Sequence, residues 1–216
     1  MIENVLLDLD GTLTDPKTGI TRCIQYALEQ FDVPIPAMDE LTWCIGPPLK
    51  GSFSKILNTS DETVLENALS FYRERFSEKG MFENQVYPGV KETLEKLKDS
   101  GIKVFLATAK PRVFAEMILV HFELAKFFDG IYGPDLDGRL SDKADLIAHI
   151  LKVENLKAER SLMVGDRSYD IVGGKRNALM TMAVSYGYGS DDEIESSKPD
   201  FTIREFSELF SFLEGS

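Results

Sequence analysis

The sequence has little of what marks a disulfide-stabilised, secreted or membrane protein. Its 216 residues include two cysteines, Cys23 and Cys44, which do not indicate a disulfide framework. No apolar run approaches the length of a bilayer-spanning helix. The first four residues, Met-Ile-Glu-Asn, show neither a basic region nor a signal-peptide pattern. We therefore expect a soluble, cytoplasmic protein that makes no membrane contact.

Positive charge is also scarce. The chain has 24 lysines and arginines against 36 aspartates and glutamates, a net charge of −12, which argues against nucleic acids and anionic membranes as partners. Its two histidines, His121 and His149, fall on helical patterns and are interpreted as packed or surface residues. With 43% hydrophobic residues there is ample material for a core, in one domain or two small ones. We expect a monomer or a weak dimer.

An apolar run that begins at Val5 ends abruptly in polar residues. Such a run is typical of a parallel strand covered on both faces, and residues two apart in a strand point the same way, so Asp8 and Asp10 can converge on one site. Gly11 permits a sharp turn, and we expect its backbone amide and that of Thr12 to be free to meet an anion. A simple surface turn is the alternative, since Asp and Gly are common turn residues.

Helical patterns fill the chain between this strand and the next. An amphipathic helix is predicted from Ile20 to Phe31, a short one from Leu49 to Leu57, and a longer one that opens with a capping box at 59–62 and ends at Gly80. A simple crossover between parallel strands needs far fewer residues. We therefore predict a helical cap domain at 15–86, inserted into a core domain of 1–14 and 87–216, and expect it to lie over the end of the first strand as a lid.

The cap offers several cations that could contact a substrate anion. Lys50 follows the rigid Gly-Pro-Pro turn at 46–48, and together with Arg22 it is our candidate for substrate contact. We interpret Arg73 and Arg75 as part of a solvated helix face, and Trp43 as part of the cap's core.

The rest of the chain alternates strands with helices. Strand patterns at 102–107, 161–164 and 181–184 are separated by amphipathic helices, and a last helix is predicted near 205–213. This alternation predicts an α/β fold, a Rossmann-like parallel sheet with helices on both faces. Ligands bind such sheets outside the carboxyl ends of the strands. Three strands end there in polar residues, and Lys143 begins a helix that could flank the same crevice; these residues are Asp8 and Asp10, Thr108, and Asp166 and Asp170.

These residue types suit phosphoryl chemistry. Carboxylate oxygens without histidine or cysteine are typical of a Mg²⁺ site, which Asp8, Asp166 and Asp170 could form. Thr108, Lys143 and the amides after Asp10 could then hold phosphate oxygens. An aspartate can act as the nucleophile and form an aspartyl-phosphate, while a second carboxylate two residues on can protonate the leaving oxygen and then activate water.

The order and spacing of these residues resemble the four motifs of the haloacid dehalogenase-like hydrolase superfamily over essentially the whole chain. The matching segments are Asp8-Leu9-Asp10-Gly11-Thr12-Leu13-Thr14-Asp15, Thr108, Lys143 and Gly165-Asp166-Arg167-Ser168-Tyr169-Asp170. The position of the insert resembles the helical cap of the phosphoglycolate phosphatase and β-phosphoglucomutase branch. Residues 15–20 and 43–49 look most like bacterial phosphatases labelled phosphoglycolate phosphatase or 5′-nucleotidase.

The resemblance implies a role for each motif residue. Asp8 would be the nucleophile and a Mg²⁺ ligand, and Asp10 the general acid and base with its backbone carbonyl on the metal. Thr108 and Lys143 would bind the phosphoryl group. Asp166 would ligate Mg²⁺, directly or through water, with support from Asp170.

Position 109 departs from the family's pattern. Relatives often have Ser or Asn after the motif threonine, whereas this chain has Ala109, so a side-chain contact is lost and only the backbone amide remains for phosphate. Lys110 follows, and we expect it to shape the rim of the crevice. Asp10 argues against the dehalogenase branch, which lacks an aspartate there.

Three functions remain open at this point. The first is a Mg²⁺-dependent phosphatase acting on a small phosphate monoester, with phosphoglycolate or a nucleoside 5′-monophosphate favoured. The second is a phosphomutase of the β-phosphoglucomutase type. The third is a phosphate-binding module without catalytic activity, which the intact set of motif residues disfavours.

Overall fold

The computed structural model describes residues 1–136 and 138–215. The chain divides into two units, one of Met1–Asp15 with Val86–Ser216 and one of Pro16–Gln85. Two short strands, β2 (Thr14–Asp15) and β3 (Gln85–Val86), mark the points where the chain passes from one unit to the other. That the inserted unit acts as a lid stays a prediction.

A parallel sheet forms the centre of the larger unit, and it confirms the predicted α/β fold class. In the described residues it has six strands, in the spatial order β5-β4-β1-β6-β7-β8. Their bounds are β1 Asn4–Leu7, β4 Lys103–Ala107, β5 Gly130–Tyr132, β6 Ser161–Gly165, β7 Met180–Val184 and β8 Phe201–Ile203. The sequence does not predict β5 and β8, because three residues are too few to carry a period-two pattern.

Both faces of the central strand β1 are covered. Leu6 packs on one face with Phe105 and Met163 of the neighbouring strands and with Leu146 and Ile147 of a helix, and all are buried. Val5 and Leu7 point to the opposite face and are also fully buried. This double coverage explains why the strand reads as a continuous apolar run.

Helices lie between the strands of this unit, and a last helix follows β8. Their bounds are α4 Val90–Asp99, α5 Arg112–His121, α6 Lys143–Val153, α7 Ser168–Arg176, α8 Asp191–Ser197 and α9 Glu208–Glu214. The helix α8 was read in the sequence only as an acidic stretch; the side chain of Ser190 accepts a hydrogen bond from the amide of Glu193 and caps it. The side chain of Asp142 caps α6 in the same way, bonding the amides of Ala144 and Asp145.

The inserted unit is helical. It contains α1 Lys17–Leu28, α2 Leu49–Ile56 and α3 Glu62–Glu78, with short 3-10 turns at Met38–Cys44 and Gly80–Phe82. The side chain of Asp61 caps α3 by accepting from two backbone amides. The core of the unit includes a stack of Tyr72 on Phe76, with ring centroids 5.3 Å apart.

Our interpretation of Trp43 as a core residue is wrong. The side chain is 39% exposed, and the ammonium of Lys55 lies 5.4 Å from the centre of its ring. The indole therefore lies at the surface of the inserted unit, against a cation. None of the helices in 1–136 and 138–215 is both long and apolar enough to span a bilayer.

Candidate active site

The order of the strands brings the predicted polar residues to one place. The chain runs from β1 to β4 and β5 on one side and returns to β6, β7 and β8 on the other, so the strand order reverses at β1. Leu7, the last residue of β1, is in register with Leu106 of β4 and Val164 of β6. The residues that follow these strands therefore emerge side by side at the carboxyl edge, where ligands bind such sheets.

Lys143 links two of the acidic residues. Its ammonium lies 2.9 Å from Oδ1 of Asp8 and 2.7 Å from Oδ1 of Asp170, and donates to the carbonyl of Ala107 at 2.7 Å. All three side chains are almost entirely buried. Burial lowers the pKa of Lys143, but Asp170 and Asp8 together raise it more. The net pKa is therefore raised, and the side chain stays protonated.

The turn after Asp8 closes on itself. The amide of Gly11 donates to the carbonyl of Thr14 at 2.8 Å, and the amide of Thr12 to the carbonyl of Leu9 at 3.3 Å. Our expectation that these two amides are free to bind an anion is therefore wrong in this structure. The physical reason is that the tight turn satisfies its own backbone donors.

Gly11 is required in this turn for two reasons. Its φ is +85°, a region that other L-residues rarely adopt. A Cβ placed on it would lie 2.1 Å from Oδ2 of Asp166, which is closer than two non-bonded atoms can approach. The glycine thus lets the first motif pack directly against the carboxylate of the fourth.

Asp166 is held by the loop that follows β7 as well as by the first turn. Its Oδ2 accepts from the amide of Tyr188 at 2.7 Å, and its Oδ1 accepts from the hydroxyl of Thr12 at 3.4 Å. The hydroxyl of Tyr186 also donates to the carbonyl of Thr12, at 2.7 Å. Sequence reasoning missed this loop; the signal was its place after the strand ending at Val184, at the same carboxyl edge.

Three carboxylates can share one cation. Asp8, Asp166 and Asp170 each offer an oxygen, and these atoms lie within 4.8 Å of one another. The pKa of Asp166 is raised well above its usual value by burial and by the neighbouring Asp8 and Asp170. Burial also raises the pKa of Asp170, to about 6, even though Lys143 opposes the rise. Crowded, buried carboxylates with hard oxygen atoms fit a Mg²⁺ ion, whose charge would offset this repulsion.

Asp10 has a cation of its own. Its Oδ2 lies 2.9 Å from the ammonium of Lys110, and both side chains are nearly inaccessible. Burial raises the pKa of Asp10 although Lys110 opposes the rise. Among the described residues no hydrogen-bond partner reaches the buried Oδ1 of Asp10. Lys110 is predicted from the sequence only to shape the rim of the crevice; its ion pair with Asp10 is a finding of the structure.

The turn after β4 places Thr108 at the same edge. Thr108 is buried, its amide donates to the carbonyl of Tyr132 at 3.1 Å, and its hydroxyl oxygen accepts from the amide of Lys110 at 3.2 Å. A hydroxyl that accepts still has a proton to donate, so it can bind a phosphate oxygen. Ala109 lies between these two residues, on the same short turn.

The cap candidates are engaged by glutamates of their own unit. Lys50 lies 2.5 Å from Glu62 and 3.0 Å from Glu66, all three at the surface. Arg22 lies 3.1 Å from Glu83. Arg75, read in the sequence as a solvated residue, binds Glu83 at 2.7 Å and is largely buried. A substrate contact for Lys50 or Arg22 stays a prediction.

Comparison with known proteins identifies the relatives of this chain. A family model described as haloacid dehalogenase-like hydrolase matches residues 5–184. A 5′-nucleotidase of Pseudomonas aeruginosa is 43% identical over 211 residues, which cover 98% of this chain and 95% of that protein. The tyrosine-protein kinase PtkA of Mycobacterium tuberculosis is 34% identical over 193 residues, which cover 89% of this chain and 65% of that protein.

The fold has a close match among solved structures. The crystal structure of a predicted phosphatase from Clostridium acetobutylicum superposes with a TM-score of 0.95 at 41% identity, covering all of both chains.

Replacing Lys143 by Met tests the charge balance of the site. The change leaves the carboxylates of Asp8 and Asp170 buried without their cation, so we expect the free energy of unfolding to fall by about 3–5 kcal/mol at neutral pH. Because the carboxyl of Asp170 is protonated below its raised pKa of about 6, the loss should shrink at acidic pH. The measurement is denaturant unfolding of metal-free protein at pH 8 and pH 5.

Lys152→Met is the matched control for this measurement. Lys152 is an exposed lysine of the same helix, α6, and we expect its replacement to change stability little at either pH. A Lys143→Met loss as small as that of the control, or equal at both pH values, would contradict the charge balance.

Proposed function

This chain belongs to the haloacid dehalogenase-like hydrolase family, and on that premise we propose that it is a Mg²⁺-dependent phosphatase that hydrolyses a small phosphate monoester through an aspartyl-phosphate. The observation that supports this proposal most is the buried group of Asp8, Asp166 and Asp170 at the carboxyl edge of the sheet, with Lys143 bound to two of them. Phosphoryl transfer needs charge neutralisation and positioning, and this group supplies both.

The first step is the transfer of the phosphoryl group to Asp8. An oxygen of its carboxylate attacks phosphorus as the ester P–O bond breaks, and Asp10 gives its proton to the leaving alcohol oxygen. Asp8, Asp166 and Asp170, with the backbone carbonyl of Asp10, would hold the Mg²⁺. When bound, the ion offsets the charge of the phosphoryl oxygens beside the anionic nucleophile.

The second step returns Asp8 to its starting state. Asp10, now without its proton, takes one from a water molecule, whose oxygen attacks phosphorus and breaks the bond to Asp8. The products are inorganic phosphate and the free carboxylate. Burial of Asp10 raises its pKa, which suits a group that must carry a proton in one step and release it in the other.

Lys143 and the turn after β4 are our candidates for holding the phosphoryl oxygens. The ammonium of Lys143 already lies at Asp8, and Thr108 has a hydroxyl proton to donate. The amide of Ala109 is a further candidate, without the side-chain contact that Ser or Asn would add. We leave the amides of Gly11 and Thr12 out of this set because they donate within their own turn.

We propose a nucleoside 5′-monophosphate as the favoured substrate, with phosphoglycolate next. The support is the similarity to a protein named 5′-nucleotidase, which extends over nearly the full length of both chains. Lys50 and Arg22 are proposed to contact the substrate from the inserted unit; to do so they would exchange their glutamate partners for the ligand. A cytoplasmic location and a monomeric or weakly dimeric state stay predictions.

Three other functions are distinguished by the fate of the phosphoryl group. A phosphomutase would keep a long-lived aspartyl-phosphate and depend on a bisphosphate, and a kinase-like activity would pass the group to an acceptor other than water. A module without catalytic activity would bind phosphate and release none. Rapid release of free phosphate without added bisphosphate excludes all three as the main activity.

Replacing Asp8 by Asn tests the nucleophile. The amide has nearly the same shape but cannot form the aspartyl-phosphate, so we expect hydrolysis of p-nitrophenyl phosphate to fall to background while circular dichroism stays unchanged. The exposed Asp145, changed to Asn, serves as the control and should keep full activity. Full activity in Asp8→Asn would remove the proposed mechanism.

Replacing Asp166 by Asn tests the metal site. We expect wild-type activity to vanish with EDTA and to return with Mg²⁺. In the variant, the Mg²⁺ concentration for half-maximal activity should rise by about 10–100-fold, the usual loss of affinity when a residue that surrounds a bound metal is changed. In the wild-type protein Mg²⁺ should also raise the thermal unfolding temperature. An unchanged Mg²⁺ requirement would place the ion elsewhere.

A panel of phosphate esters tests the substrate. We expect nucleoside 5′-monophosphates to give the highest kcat/KM, followed by phosphoglycolate, with sugar phosphates lower, measured as free phosphate released. The Lys50→Met and Arg22→Met variants are compared on the best ester and on p-nitrophenyl phosphate. A loss confined to the best ester supports a substrate contact, whereas equal or absent losses argue against it.

A further inference from the structure

We propose that Lys110 is a positioning residue for Asp10: it binds one carboxylate oxygen, Oδ2, so that the proton exchanged during the reaction is carried by the other, Oδ1. This inference rests on the proposed phosphatase function and assigns to Lys110 a role that the motif comparison leaves open.

The two oxygens of Asp10 have different surroundings. Oδ2 lies 2.9 Å from the ammonium of Lys110, in an ion pair whose side chains are only 6% and 9% exposed. Oδ1 is buried as well, yet has no hydrogen-bond partner among the described residues. An ammonium is a donor with no acceptor capacity, so the oxygen that it binds is occupied as an acceptor. The oxygen left to carry and deliver a proton is Oδ1.

The backbone of Lys110 is fixed, which gives the side chain a defined origin. Its amide donates to the hydroxyl oxygen of Thr108 at 3.2 Å, and the amide of Thr108 is itself bound to Tyr132 of β5. On the other side, a Cβ placed on Gly133 would lie 2.4 Å from the carbonyl oxygen of Lys110. The turn is thus packed closely against the segment after β5, and the lysine reaches Asp10 from a rigid support.

The two buried lysines serve different carboxylates. Lys143 binds Asp8 and Asp170, whereas Lys110 binds Asp10. The ion pair of Lys110 is made with the side chain of Asp10, the proposed general acid and base, and so acts on that carboxyl group. Its consequence is local, because it restricts rotation of the Asp10 carboxyl group and so fixes which oxygen faces the reacting groups.

This role concerns one chemical event, the departure of the leaving group. As the P–O bond breaks, the proton on Oδ1 of Asp10 passes to the ester oxygen; an alcohol requires this proton, but p-nitrophenolate leaves readily without it. The parameter kcat/KM covers the steps up to formation of the aspartyl-phosphate, provided that this step is irreversible. The ratio of kcat/KM for an alcohol ester to that for p-nitrophenyl phosphate therefore reports the proton transfer.

The test compares wild-type protein with Lys110→Met on these two substrates, with the fastest alcohol ester of the panel as the first. Because a positioned general acid typically contributes about 10²–10⁴-fold, we expect the variant's ratio to fall by at least about 10²-fold. For p-nitrophenyl phosphate alone we expect kcat/KM to change by less than about fivefold, since p-nitrophenolate leaves with little help from a general acid. Equal losses on both substrates would overturn the inference.

Two further variants separate positioning from a direct or merely structural role. In Asp10→Asn the ratio should fall at least as far as in Lys110→Met, and adding Lys110→Met to it should lower the ratio no further, since both changes remove one interaction. If Lys110 acted on the phosphoryl group itself, the double variant would lose activity again on both substrates. Lys152→Met, at an exposed lysine, should leave both values unchanged.

Folding of each variant is checked by circular dichroism. Should Lys110→Met fail to fold, Lys110→Arg carries the test, because it keeps a charged donor with a different reach; we expect a smaller loss that is still confined to the alcohol ester, and a loss shared by both substrates would overturn the inference. If the wild-type protein releases phosphate and the variant loses activity equally on both substrates, only the role of Lys110 is overturned and the phosphatase function stands. A wild type that hydrolyses neither ester would remove both proposals.

Discussion

The balance of buried charge at the carboxyl end of β1 is the constraint on which the site depends. Asp8, Asp10, Asp166 and Asp170 are all nearly inaccessible, and buried carboxylates are costly unless cations or donors meet them. Two lysines, two backbone amides and a hydroxyl do so here. Even so, the pKa values of Asp10, Asp166 and Asp170 are raised. The residual repulsion is what makes this cluster a fitting place for a divalent cation.

The backbone around this cluster also constrains it, through the order of the strands and the positions of two glycines. The strand order reverses at β1, so segments distant along the chain meet at one edge. Glycine is required at two close contacts within it. Gly11 lies beside Asp166 of a distant segment, and a Cβ on Gly165 would lie 2.2 Å from the carboxyl carbon of Asp170 in the same motif. Both are positions where motif residues pack without space for a further atom.

Much of the site could be predicted because its signals are local. An apolar strand that ends in Asp8 and Asp10, and another that ends in Asp166, identify the edge of a parallel sheet without any tertiary information. Hydrogen-bond partners are not local: that the amides of Gly11 and Thr12 donate within their own turn depends on its exact closure, which composition does not determine.

Pairing across the fold was the least predictable feature. The contact of Lys110 with Asp10 joins two turns that follow different strands, and nothing at position 110 alone indicates which way its side chain points. Trp43 shows the same limit, since its exposure depends on which face of a short 3-10 turn meets the rest of its unit. The strands β5 and β8 were missed because they are too short to show a period.

The strand that leads to Asp8 is synthesised first, but both of its neighbouring strands come much later in the chain. β1 hydrogen-bonds on one side to β4, about a hundred residues later in the chain, and on the other side to β6, which is later still. Lys143 is separated from Asp8 by 135 positions. During synthesis Asp8 therefore emerges long before its neighbours exist, and its carboxylate acquires its surroundings only when nearly the whole chain has been translated and folded.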